Sequence, residues 1–244
     1  MLKQYHRLDP VMLIKSLDLL CRRISERFPG SGLSKVAREV FEIAEVAKLK
    51  AEQIGRPNYF FRAAIGVVIC VFSAGLVQII LKIGLPLKCS GLNEFMQVVE
   101  AGISNIVFIG AGIVSLVAIE NKVKRNRAVL LMSELRALAH VVDMHQLTKD
   151  PDSIFTQKWR TPSSPDRNMN AFQLSRYLDY CTELLSLISK IAAVYVQNYD
   201  DPVVVETGND IEALTTGLSR KIWQKIMILS NGPMTQEGAA GPQI

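Results

Sequence analysis

The residues best spaced to do chemistry lie in the stretch HVVDMHQLTKDP. His140 and Asp143 are three apart, so on a helix they share a face, while His145 points elsewhere. An imidazole and a carboxylate at that spacing can ligate a metal. Nothing nearby completes a site, and a hydrogen-bonded helix end closed by Asp150-Pro151 accounts for the same residues. Asp200-Asp201 and Glu206 with Asp210 sit at a helix start, where capping and the helix dipole explain them. There is no GxxxxGK[ST] loop, no strand-led GxGxxG, no HExxH and no GxSxG. The 3 histidines leave little for acid–base work, and the 4 cysteines (Cys21, Cys70, Cys89, Cys181) are far apart and form no CxxC. Reduced, inert thiols are expected rather than a disulfide scaffold or zinc cluster. The residues therefore predict no enzyme, no cofactor and no metal.

Composition narrows the classes further. The net charge of +5 over 244 residues suits an anionic membrane surface and is too diffuse for nucleic acid. Hydrophobic residues make up 49%, concentrated in two runs without a charged residue, 63–81 and 102–119. Each is long enough to cross roughly 30 Å of hydrocarbon at about 1.5 Å per helical residue. Soluble core helices seldom run that far without a charge, so the two runs are read as a transmembrane hairpin. MLKQYHRLDP has no continuous apolar segment or small-residue cleavage site, so the first run is expected to stay as an anchor. Lys48, Lys50, Arg56 and Arg62 precede the first run, and Lys122, Lys124, Arg125 and Arg127 follow the second. The spacer carries only Lys82 and Lys88, which places both termini in the cytoplasm and the spacer outside. Tyr59, Phe60 and Phe61 stand where headgroups are expected.

Within the first run Gly66, Cys70, Ala74 and Gln78 recur every four residues as a face of small or polar groups. In the second, Ser104, Ala111, Ser115 and Ala118 make a similar face, with Asn105 at its outer end. Such faces suit close helix packing, with Gln78 and Asn105 either hydrogen-bonding between helices or lining a polar path between associated hairpins. No intramembrane acid or base marks an ion or proton route. In the spacer, Leu92, Phe95, Met96 and Val99 are read as an amphipathic turn or two at the outer surface.

The remaining chain reads as soluble helices. Asp9-Pro10 is a cap-and-first-turn pair, followed by Leu13, Leu17, Leu20, Ile24 and Phe28 at helical spacing. A turn at Gly30–Leu33 precedes a second helix from Ser34, with Val36, Val40, Ile43 and Ala47 on its apolar side and Glu39, Glu42 and Glu45 on its wet side. The second run is predicted to continue unbroken from Gly102 to about Gln146, some 68 Å of helix. Leu174, Leu178, Cys181, Leu185, Ile188, Ala192 and Tyr195 form an a/d-like seam. Asp201-Pro202 starts a last helix with Ile211, Leu214, Leu218, Ile222, Ile226 and Leu229 as its stripe. Trp159, in the proline-bearing linker, and the basic group Arg220, Lys221, Trp223 and Lys225 are the residues suited to touch anionic headgroups; for the basic group a solvated face is the rival reading, and for Trp159 a packed side chain. The domains expected are N-terminal cytoplasmic helices over 1–57, the hairpin over 58–120, a helical extension over 121–150, a linker over 151–170, a C-terminal helical hairpin over 171–230 and a disordered tail over 231–244.

The fold class is thus an all-α membrane protein: a two-helix transmembrane hairpin, an N-terminal helical pair, a long cytoplasmic extension of the second span and a C-terminal helical pair. This layout resembles the SLATT domains, bacterial two-transmembrane modules. The resemblance spans residues 34–146, rests on layout without a diagnostic motif, and leaves the helices after 170 unexplained. It implies a pore-forming or membrane-disrupting effector in the bacterial inner membrane. The residues themselves point to homo-oligomerisation within the lipid bilayer, controlled by the cytoplasmic bundle. The alternative is a non-enzymatic membrane scaffold or accessory subunit that recruits a cytoplasmic protein partner.

Overall fold

The computed structural model describes residues 7–54, 59–83, 92–151, 154 and 169–231; at several helical positions, Gln78 among them, only the backbone is described. The described residues are helical, and no strand occurs among them. The helices among the described residues are α1 (Pro10–Arg27), α2 (Gly32–Ile54), α3 (Tyr59–Ile83), α4 (Leu92–Leu147), α5 (Ala171–Asn198) and α6 (Pro202–Ser230).

Local chemistry sets most of the helix starts. Asp9 caps α1, its carboxylate accepting from the Val11 N–H at 2.8 Å, with Pro10 in the first turn. Asp201 does the same for α6, accepting from Val203 N–H at 3.0 Å ahead of Pro202. A reciprocal capping box starts α5: Gln173 N–H donates to the Asn170 side chain at 2.8 Å, and Asn170 N–H donates back to the Gln173 side chain at 3.0 Å. These contacts satisfy amides that have no partner inside the helix. Gly30, at φ +69°, takes the left-handed conformation that turns the chain between α1 and α2.

Two helices begin earlier than their spacing suggests. α2 starts at Gly32, not Ser34, because the Ser31 hydroxyl accepts from the Ser34 N–H at 3.2 Å and serves the first turn. α4 starts at Leu92, so the residues expected to form a separate surface turn belong to the same helix as the second apolar run. The reason is local: from Leu92 to Ala101 there is neither Gly nor Pro. Gly102 then costs a continuing helix only about 1 kcal/mol. The helix is 56 residues long, about 84 Å at 1.5 Å per residue.

The chain divides into two compact units, Met1–Gly55 with Ala128–Ile244, and Arg56–Arg127. The first is a helical bundle centred on α5. Twelve residues of α5 are buried, including Tyr177, Tyr180, Leu184, Ile191 and Val194, which lie off the seam expected from spacing. α1, α2 and α6 pack against it, and Leu131, Met132, Leu135 and Val142 of α4 join the same core. α1 runs antiparallel to α5: Leu8 N–H meets the Gln197 side chain at 2.9 Å, Arg23 pairs with Glu183 at 2.8 Å, and Phe28 sits edge-on to Tyr177 at 5.3 Å. α4 runs parallel to α6, with Arg136 on Asp210 at 3.1 Å and Lys225 on Gln146 further along. The exposed ion pairs contribute at most about 1 kcal/mol each, so the apolar core carries the stability.

α5 and α6 approach closely at Gly208. A Cβ there would sit 2.5 Å from Cγ2 of Val196, a stiff β-branched side chain. Gly208→Ala is expected to destabilise the chain by about 1–3 kcal/mol through overpacking, despite the better helix propensity of alanine. Gly217→Ala, where an added Cβ meets nothing within 4 Å, is expected to shift thermal unfolding the opposite way. Equal shifts for the two, followed by circular dichroism, would contradict the close approach.

Candidate membrane segment and bundle surfaces

Among the described residues one helical stretch, Gly102–Leu147, is long and apolar enough to cross a membrane. None of its most apolar window is buried. Ile106 is 70% exposed, Phe108 69% and Val114 68%. The first apolar run lies in α3, which has 25 residues, but its described apolar stretch is the shorter Ala63–Gly75, in which Val67 and Val71 are exposed. Among the described residues one span is thus shown by length and composition, and the second expected span is not confirmed. Apolar side chains uncovered over this length are rare on soluble monomers and demand a cover.

Within its charge-free run, the half-buried positions of α4 are Gly102, Asn105, Ile109, Gly112, Ile113 and Leu116, a stripe at helical spacing. They form a half-buried seam along this part of the helix. Ser104, Ala111 and Ser115 are exposed beside it, rotated off the covered side. On α3, Gly66 is half-buried while Cys70 and Ala74 are exposed. Gln78 has no described side chain, and Trp159 and Cys89 lie outside the described residues. The apolar run ends where Lys124 pairs with Glu120 at 2.7 Å, one helical turn apart.

In the bundle, the residues first read for chemistry separate. His140 is exposed, Asp143 accepts from the Gln146 amide at 2.6 Å, and the His145 ring lies against Gly32. No group of three or more metal-ligating side chains occurs among the described residues. A groove of about 580 Å³ between α1 and α2 is lined by Cys21, Asp18, Arg22, Ser25, Arg38 and Glu42, among others. Burial, and then the Asp18 carboxylate, push the Cys21 thiol up to about 11, and burial pushes Cys181 up to about 12. Both thiols stay protonated at neutral pH and offer no nucleophile.

The basic group on α6 divides. Arg220, Lys221 and Trp223 are exposed. Lys225 turns inward: its ammonium donates to the Gln146 carbonyl at 2.9 Å, to the Gln146 side-chain oxygen at 2.6 Å and to the Lys149 carbonyl at 3.4 Å. It closes the C-terminus of α4, where the helix dipole favours a cation. Burial lowers its pKa, opposed by Asp150 and Asp143. Sequence spacing could not find this role, because the partner lies 79 residues away. Lys225→Met, which keeps the stem and removes the charge, is expected to cost about 1.5–3 kcal/mol of unfolding free energy. Arg220→Met should cost less than about 0.5 kcal/mol. Urea titrations of both variants check the contrast.

No protein-family model matches the chain, and no match is found among curated proteins or solved structures.

Proposed function

We propose that the chain is a two-span membrane protein that acts by assembling copies of itself, opening or disrupting a bilayer under the control of its helical bundle. The observation that carries this reading is the uncovered apolar run of α4, with Ile106, Phe108 and Val114 each more than two-thirds exposed. Lipid is the cover such a run fits, since a helix satisfies its own backbone in hydrocarbon. In this reading α3 is the second span. The charge pattern around the runs sets the bundle on the cytoplasmic side of a bacterial inner membrane, as the layout resembling SLATT domains also implies. The exposed small residues Ser104, Ala111 and Ser115 then face neighbouring copies or lipid, and Asn105 lies on the covered side of its helix. No step of this activity calls for a catalytic group.

Dye release from liposomes carrying the purified chain tests the proposal. Release that falls on Asn105→Leu or Gln78→Leu supports a polar path between copies. Vesicles that stay sealed at every protein density sink it and favour the scaffold, whose bundle would recruit a cytoplasmic partner instead.

A further inference from the structure

The bundle carries two exposed surfaces of opposite charge. The first is a groove of about 370 Å³ lined by Glu39, Glu42, Ile43 and Val46 of α2 and Glu134 of α4. Its α2 residues recur at three, four and seven positions, so they share one face. Ile43 is half-buried and Val46 39% exposed, giving an apolar floor. Leu130, one turn before Glu134, is 63% exposed. The three carboxylates form no ion pair among the described residues. Of the nearby bases, Arg136 is held by Asp210, and Arg38 lines the neighbouring groove, of which Glu42 is the shared wall.

The second surface is the outer face of α6. Arg220, Trp223 and Met227 stand at three- and four-residue spacing, with Lys221 on the flank, and all four are exposed. Trp223 is 58% exposed and Met227 41%. Neither Arg220 nor Lys221 has an ion pair among the described residues. The result is a basic helix face with an aromatic and a thioether at its centre. An apolar-floored, acid-rimmed groove is the surface that such a helix face fits. The groove is formed by α2 and α4 and the basic stripe by α6, so the two surfaces of one copy lie on different helices.

We propose that the α2–α4 groove receives the outer face of α6 from a second copy of this chain. Trp223 and Met227 would lie over Ile43, Val46 and Leu130, while Arg220 and Lys221 meet Glu39, Glu42 and Glu134. The contact is head-to-tail, because each copy offers a different surface on each side. Repetition of such a contact builds a closed ring or an open chain. The inference rests on the reading that the protein works as an assembly, and it names the faces through which the bundles assemble.

Cysteine crosslinking in the full chain, purified in neutral detergent, tests it. One population carries Val46→Cys and another Met227→Cys, both in a Cys70→Ala, Cys89→Ser background. A short bismaleimide is expected to link the mixed populations and not either alone. Glu42→Lys should lower the yield on the order of tenfold, and adding Lys221→Glu on the partner population should restore it. Linking within one population would reveal a two-fold contact and overturn the head-to-tail assignment. Unlinked chains that are oligomeric by light scattering would overturn the faces while leaving assembly intact. Monomers in detergent and in nanodiscs would overturn both. A yield that needs anionic lipid would assign the α6 face to headgroups, and the proposal would fall.

Discussion

Under the proposed membrane function, Gly110→Arg is expected to shift the chain out of the bilayer, whereas Gly110→Leu is expected to leave its partition nearly unchanged. Gly110 lies near the middle of the charge-free run of α4, is exposed, and a Cβ added to it meets nothing within 4 Å. Either side chain can therefore be built without displacing a neighbour in the chain, and the two variants differ in what the surrounding medium must accept. A guanidinium at the centre of a membrane helix costs about 2.5–3.5 kcal/mol of insertion free energy, and leucine favours insertion by a few tenths. At about 1.4 kcal/mol per tenfold, the arginine shifts the partition roughly a hundredfold. Carbonate extraction of membranes followed by immunoblotting measures it. If the apolar run were instead covered by a soluble partner, both variants would stay in the supernatant. If it faced water, the arginine would raise solubility and nothing else would change.

Leu184→Ala costs as much as Leu185→Ala, about 2–5 kcal/mol each. Leu185 belongs to the a/d-like seam that spacing alone picks out, and Leu184 does not. Both are 0% exposed, because α5 is covered on more than one side by α1, α2, α6 and the last part of α4. A helix packed along one seam would tolerate Leu184→Ala at well under 1 kcal/mol. Denaturant unfolding of the two variants, read by the near-ultraviolet signal of Tyr177, Tyr180 and Tyr195, separates the alternatives. A small loss at Leu184 with a large one at Leu185 would remove α5 from the centre of the bundle. Because α5 anchors the packing, either variant should also lower the crosslink yield between copies, through loss of the bundle rather than of the faces.

What was legible beforehand is what neighbouring residues decide among themselves. Asp-Pro pairs mark the starts of α1 and α6 because the carboxylate and the ring act on amides one or two residues away. Charge-free runs mark the apolar stretches because length and composition suffice to describe them. The stripe Leu13, Leu17, Leu20 and Ile24 is buried as its period requires. The start of α4 at Leu92 is set as locally, by ten residues without a breaker, yet their spacing reads as a separate surface turn.

Tertiary structure decided what covers each face. Periodicity says that Ser104, Ala111 and Ser115 share a side of α4, but only the packed unit shows that side exposed, with the covered seam running through Asn105, Ile109 and Leu116. It says that Arg220, Lys221, Trp223 and Lys225 are near one another, but a carbonyl 79 residues away draws Lys225 inward and leaves the other three outside. Glu39 and Glu42 read as part of the wet side of a helix until Glu134, from another helix, joins them and Val46 in lining a groove. The physical reason is the same in each case. Spacing along a helix fixes which side chains point together, whereas burial depends on groups brought up by distant segments, whose attraction leaves no local periodic trace in the order of residues.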